Sequence, residues 1–249
     1  MGRSSYPAKS TTKGGDEPRV GRAVWQDESM DTETLDCLKI GPDDATHVFL
    51  WLHGLGDSGH GHADVVRMLE FPDGIRAQFV LPHAPRRSVS VNNGAIMPAW
   101  YDIRSIGGGQ HDIGGIRDAA DRVSLFIDRE LDRGVPAERI FLCGFSQGGC
   151  VALHIALRYP ERLGCAVGLS TYMADVASLD AEAAPENADL PVFLGHGLRD
   201  PMVPISAMSH AKDKLESLGH EVTCATYPME HAICPEEVAD LGLWLRPRL

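Results

Sequence analysis

The feature that most constrains this 249-residue chain is its alternation of short continuous apolar runs with segments of helical spacing. The runs at 35–40, 47–52, 77–81, 140–145, 165–169, 192–196 and 222–227 have strand length, and several are apolar at nearly every position, as strands covered on both faces are. Between them, Ile116, Ala120, Val123, Ile127 and Leu131 recur at steps of three and four, and Gly134 with Pro136 ends the pattern. Ile205, Met208, Leu215 and Leu218 repeat it before Gly219, as do Val238, Leu241 and Leu245 near the end. The alternation predicts a single α/β domain with a mostly parallel central sheet and helices on both faces.

The stretch 82–115 breaks the alternation. It carries Pro82, Pro85, Pro98 and Gly107-Gly108-Gly109 with little periodicity, and an excursion of this length in a small domain is expected to serve as a lid or substrate-binding loop.

Gly144-Phe145-Ser146-Gln147-Gly148 fits G-x-S-x-G in the context that gives the motif meaning. An apolar run precedes it, and a helix-compatible stretch follows until Pro160. Small flanking residues permit the strained strand-to-helix turn that pushes a serine hydroxyl into the open at a helix N-terminus, where the helix dipole favours developing negative charge. Ser146 is therefore the candidate nucleophile.

A serine needs a base, and the base needs an orienting acid. His231 follows the last expected strand and precedes the last helix, which places it on a loop at the carboxyl edge of the sheet. Of the ten other histidines, His53 and His60 lie too early, His154 falls inside the helix after Ser146, and His196 precedes the acid. Asp200, in Gly197-Leu198-Arg199-Asp200-Pro201, follows a strand and lies between nucleophile and base, whereas Asp175, Asp180 and Asp189 belong to an Ala- and Glu-rich connection. The alternative role for Asp200 is a helix cap ahead of Pro204. Two backbone donors are expected to receive an oxyanion: the Gln147 amide, and the Leu55 amide in His53-Gly54-Leu55-Gly56-Asp57.

Composition narrows the partners. A net charge of −12 argues against nucleic acid, and no stretch approaches the roughly 20 apolar residues of a membrane span. Residues 1–22 hold three Arg and two Lys against Asp16 and Glu17, and are expected to form a flexible polar tail with at most transient attraction to an anionic membrane; residues 23–249 form the domain. The tail lacks a secretory apolar region, and Tyr6 stands where a myristoylation signal wants Ser or Thr. The six cysteines show neither C-x-x-C pairs nor metal-ligand spacing, and Cys37, Cys143, Cys165 and Cys224 sit in apolar runs where buried, reduced thiols are expected. These features point to a cytoplasmic protein.

With these residues placed, the chain resembles the acyl-protein thioesterase and lysophospholipase-like carboxylesterase family of the α/β-hydrolase fold, from about residue 45 onward. The shared words are Leu52-His53-Gly54-Leu55-Gly56-Asp57-Ser58-Gly59-His60-Gly61, Pro82-His83-Ala84-Pro85, Met97-Pro98-Ala99-Trp100-Tyr101-Asp102, Gly144-Phe145-Ser146-Gln147-Gly148-Gly149 and Asp200-Pro201-Met202-Val203-Pro204. The resemblance implies removal of long acyl chains, chiefly palmitoyl, from cysteine thioesters of S-acylated proteins, together with activity on lipid esters. It also implies an apolar acyl channel near Ile103 and Ile106, with Leu55, Tyr172 and Met202 as further wall positions. Tyr172 stands where the family often has Trp, Met202 where Leu is common, and the family's palmitoylated N-terminal cysteine has no counterpart. The implied chemistry requires no metal and no organic cofactor. The remaining alternatives are a general carboxylesterase or lysophospholipase and, from another class, a non-catalytic ligand-binding protein on the same scaffold.

Overall fold

The computed structural model describes residues 35–105 and 111–249, so the expected tail at 1–22 and the channel position Ile106 lie outside the described residues. The elements follow in chain order. The first part of the chain forms β1 (Cys37–Ile40), β2 (His47–Leu52), α1 (Ala63–Arg67), β3 (Ala77–Pro82), β4 (Arg86–Val89) and β5 (Ala95–Pro98). The middle forms α2 (Ile113–Asp132), β6 (Ile140–Phe145), α3 (Gln147–Ala156), β7 (Cys165–Leu169) and α4 (Val176–Glu182). The chain closes with β8 (Val192–Gly197), α5 (Ser206–Ser217), β9 (Val222–Tyr227) and α6 (Pro235–Leu245).

Seven strands make one sheet in the order β1-β3-β2-β6-β7-β8-β9, and only β1 runs antiparallel to its neighbour. Side-chain alternation divides the core between the faces. Val48, Leu50 and Leu52 of β2, with Ile140 and Leu142 of β6, pack under α2, α3 and α5; Phe49, Trp51, Phe141 and Cys143 pack under α1 and α6. Both strands are buried along almost their whole length, which is why they read as unbroken apolar runs.

The helices appear where spacing puts them. Ile116, Ala120, Val123 and Ile127 are buried on α2, and the Asp112 carboxylate accepts the Gly115 N–H at its first turn. Met208 and Leu215 are buried on α5, and Val238, Leu241 and Leu245 on α6. These segments place every loop that follows a parallel strand at one edge of the sheet.

Some expectations are corrected. The stretch 82–115 is not irregular throughout, because β4 and β5 pair as an antiparallel hairpin whose turn places Asn93 and Gly94 at φ 54° and 77°. Its strands are four residues long and mostly solvent-facing, so they show no apolar alternation. The connection carrying Asp175 and Asp180 contains α4, which buries Leu179. Cys37 and Cys224 are only half-buried because β1 and β9 are the edge strands, while Cys150, on α3, is fully buried; all six thiols are free.

Candidate active site

Ser146 joins β6 to α3 at φ 52° and ψ −119°, a conformation that costs a side-chain-bearing residue roughly 1–3 kcal/mol and persists only where neighbours enforce it. The neighbours are visible. Its N–H donates to the Leu169 carbonyl at 2.8 Å, and its carbonyl accepts the Thr171 hydroxyl at 2.6 Å and the Cys150 N–H at 3.1 Å. A Cβ on Gly144 would stand 2.4 Å from the Gly148 carbonyl, and one on Gly148 would stand 2.3 Å from the Leu52 oxygen. The two motif glycines are thus demanded by close approach of backbone on both sides.

His231 occupies the loop between β9 and α6, with its ring against Phe145 at 4.8 Å between centroids. Its Nε2 lies 2.9 Å from Ser146 Oγ and its Nδ1 lies 2.6 Å from Asp200 Oδ2. An ionised carboxylate only accepts, so Nδ1 carries the proton and Nε2 is left as the acceptor for the serine hydroxyl. The second Asp200 oxygen accepts the Met202 and Val203 amides at 2.8 Å each. Its side chain is fully buried, so both oxygens are committed. Asp200 does not cap α5, which begins at Ser206. His196, passed over as a base, is buried; its Nε2 donates to the Val203 carbonyl at 2.9 Å and lies 3.5 Å from Asp200 Oδ2, which steadies the acid loop.

Ser146 and His231 open into a cavity of about 650 Å³. Leu55, Ile103, Tyr172 and Met202, the wall positions that the resemblance implies, are among its lining residues; Met202, 46% exposed, stands at the mouth. Met97, Met173 and Val176 line it as well, and no local spacing marked them. Asp200 lies behind the imidazole rather than on the cavity wall. The Tyr172 ring is fixed from two sides, by a 2.6 Å bond between its hydroxyl and that of Tyr101 and by stacking on His111 at 5.3 Å. Burial pushes both phenols up, so both remain protonated.

The two amides expected as oxyanion donors belong to separate elements, Leu55 to the loop after β2 and Gln147 to the first turn of α3. Neither the Leu55 nor the Gln147 amide finds an acceptor among the described residues, so both are available to an incoming oxygen. Sequence reasoning missed the Gln147 side chain, which is fully buried and bonds to the backbone of Trp100 and Tyr101. It also missed His53, whose Nδ1 donates to the Gly54 carbonyl while Nε2 accepts the Ala84 amide. Burial lowers the His53 imidazole to about 4, so it stays neutral and serves its own loop. Apart from the His53–Gly54 contact, these bonds join positions 46–47 and 31 residues apart, and no local pattern encodes them. Among the described residues no group of three or more His, Cys, Asp or Glu side chains is placed to hold a metal ion.

Comparison with known proteins identifies the family and the fold. Residues 38–247 match the family model described as phospholipase/carboxylesterase. The chain is 37% identical over 237 residues to an acyl-protein thioesterase 1 of Cryptococcus neoformans var. neoformans, covering 87% of this chain and 98% of the relative. It is 35% identical over 204 residues to a probable carboxylesterase of Oryza sativa subsp. japonica, covering 80% of this chain and 77% of that protein. Among solved structures, Arabidopsis thaliana SOBER1 superposes with a TM-score of 0.78 at 30% identity, covering 81% of this chain and 98% of that one. Zea mays acyl-protein thioesterase 2 does so with a TM-score of 0.70 at 26% identity, covering 86% and 98%. The chain belongs to the phospholipase/carboxylesterase family of α/β-hydrolases.

Proposed function

We propose that this protein hydrolyses fatty-acyl thioesters of S-acylated proteins, and related carboxylic esters, through an acyl-enzyme on Ser146. The observation that carries the reading is the hydrogen-bonded series Ser146–His231–Asp200 opening into a cavity walled by Leu55, Ile103 and Tyr172. The names of relatives from Cryptococcus neoformans and Gibberella zeae, both acyl-protein thioesterases, support the choice of substrate.

In this reading His231 Nε2 takes the hydroxyl proton as Ser146 Oγ attacks the carbonyl, and the Leu55 and Gln147 amides receive the developing oxyanion. Asp200 stabilises the imidazolium. Collapse of the adduct expels the cysteine as thiol, His231 returning the proton, and a thiol whose free pKa is about 8.5 leaves readily. Water, deprotonated by the same imidazole, then attacks the acyl-serine and releases the fatty acid. A cytosolic setting is supported by six free cysteines, and none of the described helices is long and apolar enough to cross a membrane.

The same triad cleaves oxygen esters, so the walls of the cavity decide the substrate. Turnover of an S-palmitoyl peptide against esters of increasing chain length tests the reading. With about 0.8 kcal/mol per buried methylene, kcat/KM should rise by up to roughly fourfold per carbon until the cavity is filled. Ser146→Ala should abolish all turnover. Activity confined to the shortest esters would leave a general carboxylesterase, the activity named for the Oryza sativa relative. No Ser146-dependent turnover at all would leave a ligand-binding protein.

A further inference from the structure

The two amides assigned to the oxyanion lie on separate elements, Gln147 at the start of α3 and Leu55 on the loop after β2, 92 positions apart in the chain. Their separation must nevertheless hold to a fraction of an ångström for both to meet one oxygen. The segment 97–101 touches both. Toward α3, the Trp100 N–H donates to Gln147 Oε1 at 2.9 Å, and Gln147 Nε2 donates to the Tyr101 carbonyl at 2.7 Å. Toward the loop, the Trp100 indole N–H donates to the His53 carbonyl at 2.8 Å, and the Gly56 N–H donates to the Pro98 carbonyl at 2.8 Å. His53 and Gly56 bracket Leu55, so its peptide is anchored on both sides by the same five-residue strap that grips Gln147.

We infer that the Trp100 indole and the Gln147 side-chain amide are positioning residues that align the two oxyanion donors; the inference rests on the proposed roles of Leu55 and Gln147. Trp100, Gln147 and His53 are all fully buried, so water does not compete for these bonds. The ring of His53 lies 5.2 Å from that of Trp100 and leaves the indole little freedom to turn. Neither side chain touches the reacting atoms. Each acts through the peptide it holds.

The test uses Trp100→Phe, which removes the indole N–H and keeps an aromatic ring, and Gln147→Met, which removes both amide bonds and keeps the backbone donor. Two readouts are taken on the folded proteins: kcat/KM for a long-chain ester, and affinity for a long-chain trifluoromethyl ketone. Ser146 Oγ adds to this ketone, passing its proton to His231 and leaving an oxyanion at the two amides. The corresponding secondary alcohol binds through its chain alone and serves as the reference ligand. Misplaced donors should lower kcat/KM and ketone affinity together by about 10- to 100-fold while alcohol affinity stays at the parent value. The double variant should lose little more than the worse single one, because both changes cut one strap. A fall in kcat/KM without a matching fall in ketone affinity would overturn the inference, as would parent-level values in Gln147→Met. Loss of the underlying reading would show separately, as parent protein that fails to bind the ketone more tightly than Ser146→Ala does.

Discussion

At the residue scale the site depends on how the two oxygens of Asp200 are divided. Oδ1 is taken by the Met202 and Val203 amides, and Oδ2 by His231 Nδ1. Asp200→Asn must therefore keep its oxygen toward the two amides and turn its NH₂ toward His231. That donor forces Nδ1 to accept and moves the imidazole proton to Nε2, where it faces Ser146 and blocks proton transfer. We expect kcat to fall by about 10⁴-fold with fold stability nearly retained, measured by steady-state kinetics alongside denaturant unfolding. A loss under tenfold would mean that Asp200 does not set the tautomer. The three triad positions were legible because motif, chain order and loop placement each constrain them. Thr171, His53 and the Gln147 side chain were not, since their roles come from tertiary hydrogen bonds between distant segments.

At the element scale, α6 seats against the sheet with a carboxyl group inside the contact. Glu237 is fully buried, and neither of its side-chain oxygens has a hydrogen-bond partner among the described residues. It fits because Gly195 of β8 has no side chain: a Cβ there would stand 2.1 Å from Glu237 Oε1. Burial raises this carboxyl to about 8 from an ordinary 4.5, so the folded protein holds a proton that the unfolded chain releases. Glu237 therefore detracts nothing below about pH 4.5, and stability is progressively lost as pH rises through about 8. At roughly 1.4 kcal/mol per pH unit the loss reaches a few kcal/mol. Glu237→Gln, which cannot ionise, should match the parent in urea unfolding at pH 5 and exceed it at pH 9; equal stability at both values would contradict this account. The strands of the main sheet could be read from the chain because most are unbroken apolar runs buried on both faces, and the long helices because each buries a periodic face. The β4–β5 hairpin and α4 could not, being short and mostly exposed, so no apolar period betrays them.

At the scale of the whole molecule, the parallel sheet explains why distant positions meet. Loops leaving β2, β6, β7, β8 and β9 emerge at one edge, and these carry Leu55, Ser146, Tyr172, Asp200 and His231. Continuous apolar runs in the sequence required such a sheet, and the sheet then fixed the edge at which any catalytic group had to lie. The cavity's inner shape was less accessible to sequence reading, because Met97 of β5 meets Met173 and Val176, which come from the distant connection after β7. The central claim is that this convergence makes one hydroxyl nucleophilic through one imidazole. Treatment with a fluorophosphonate, followed by digestion and mass spectrometry, locates the reactive hydroxyl directly. A single adduct on the peptide carrying Ser146, formed at least 10²-fold more slowly in His231→Ala, is the predicted result; an adduct elsewhere, or labelling of Ser146 at an undiminished rate without His231, would contradict it.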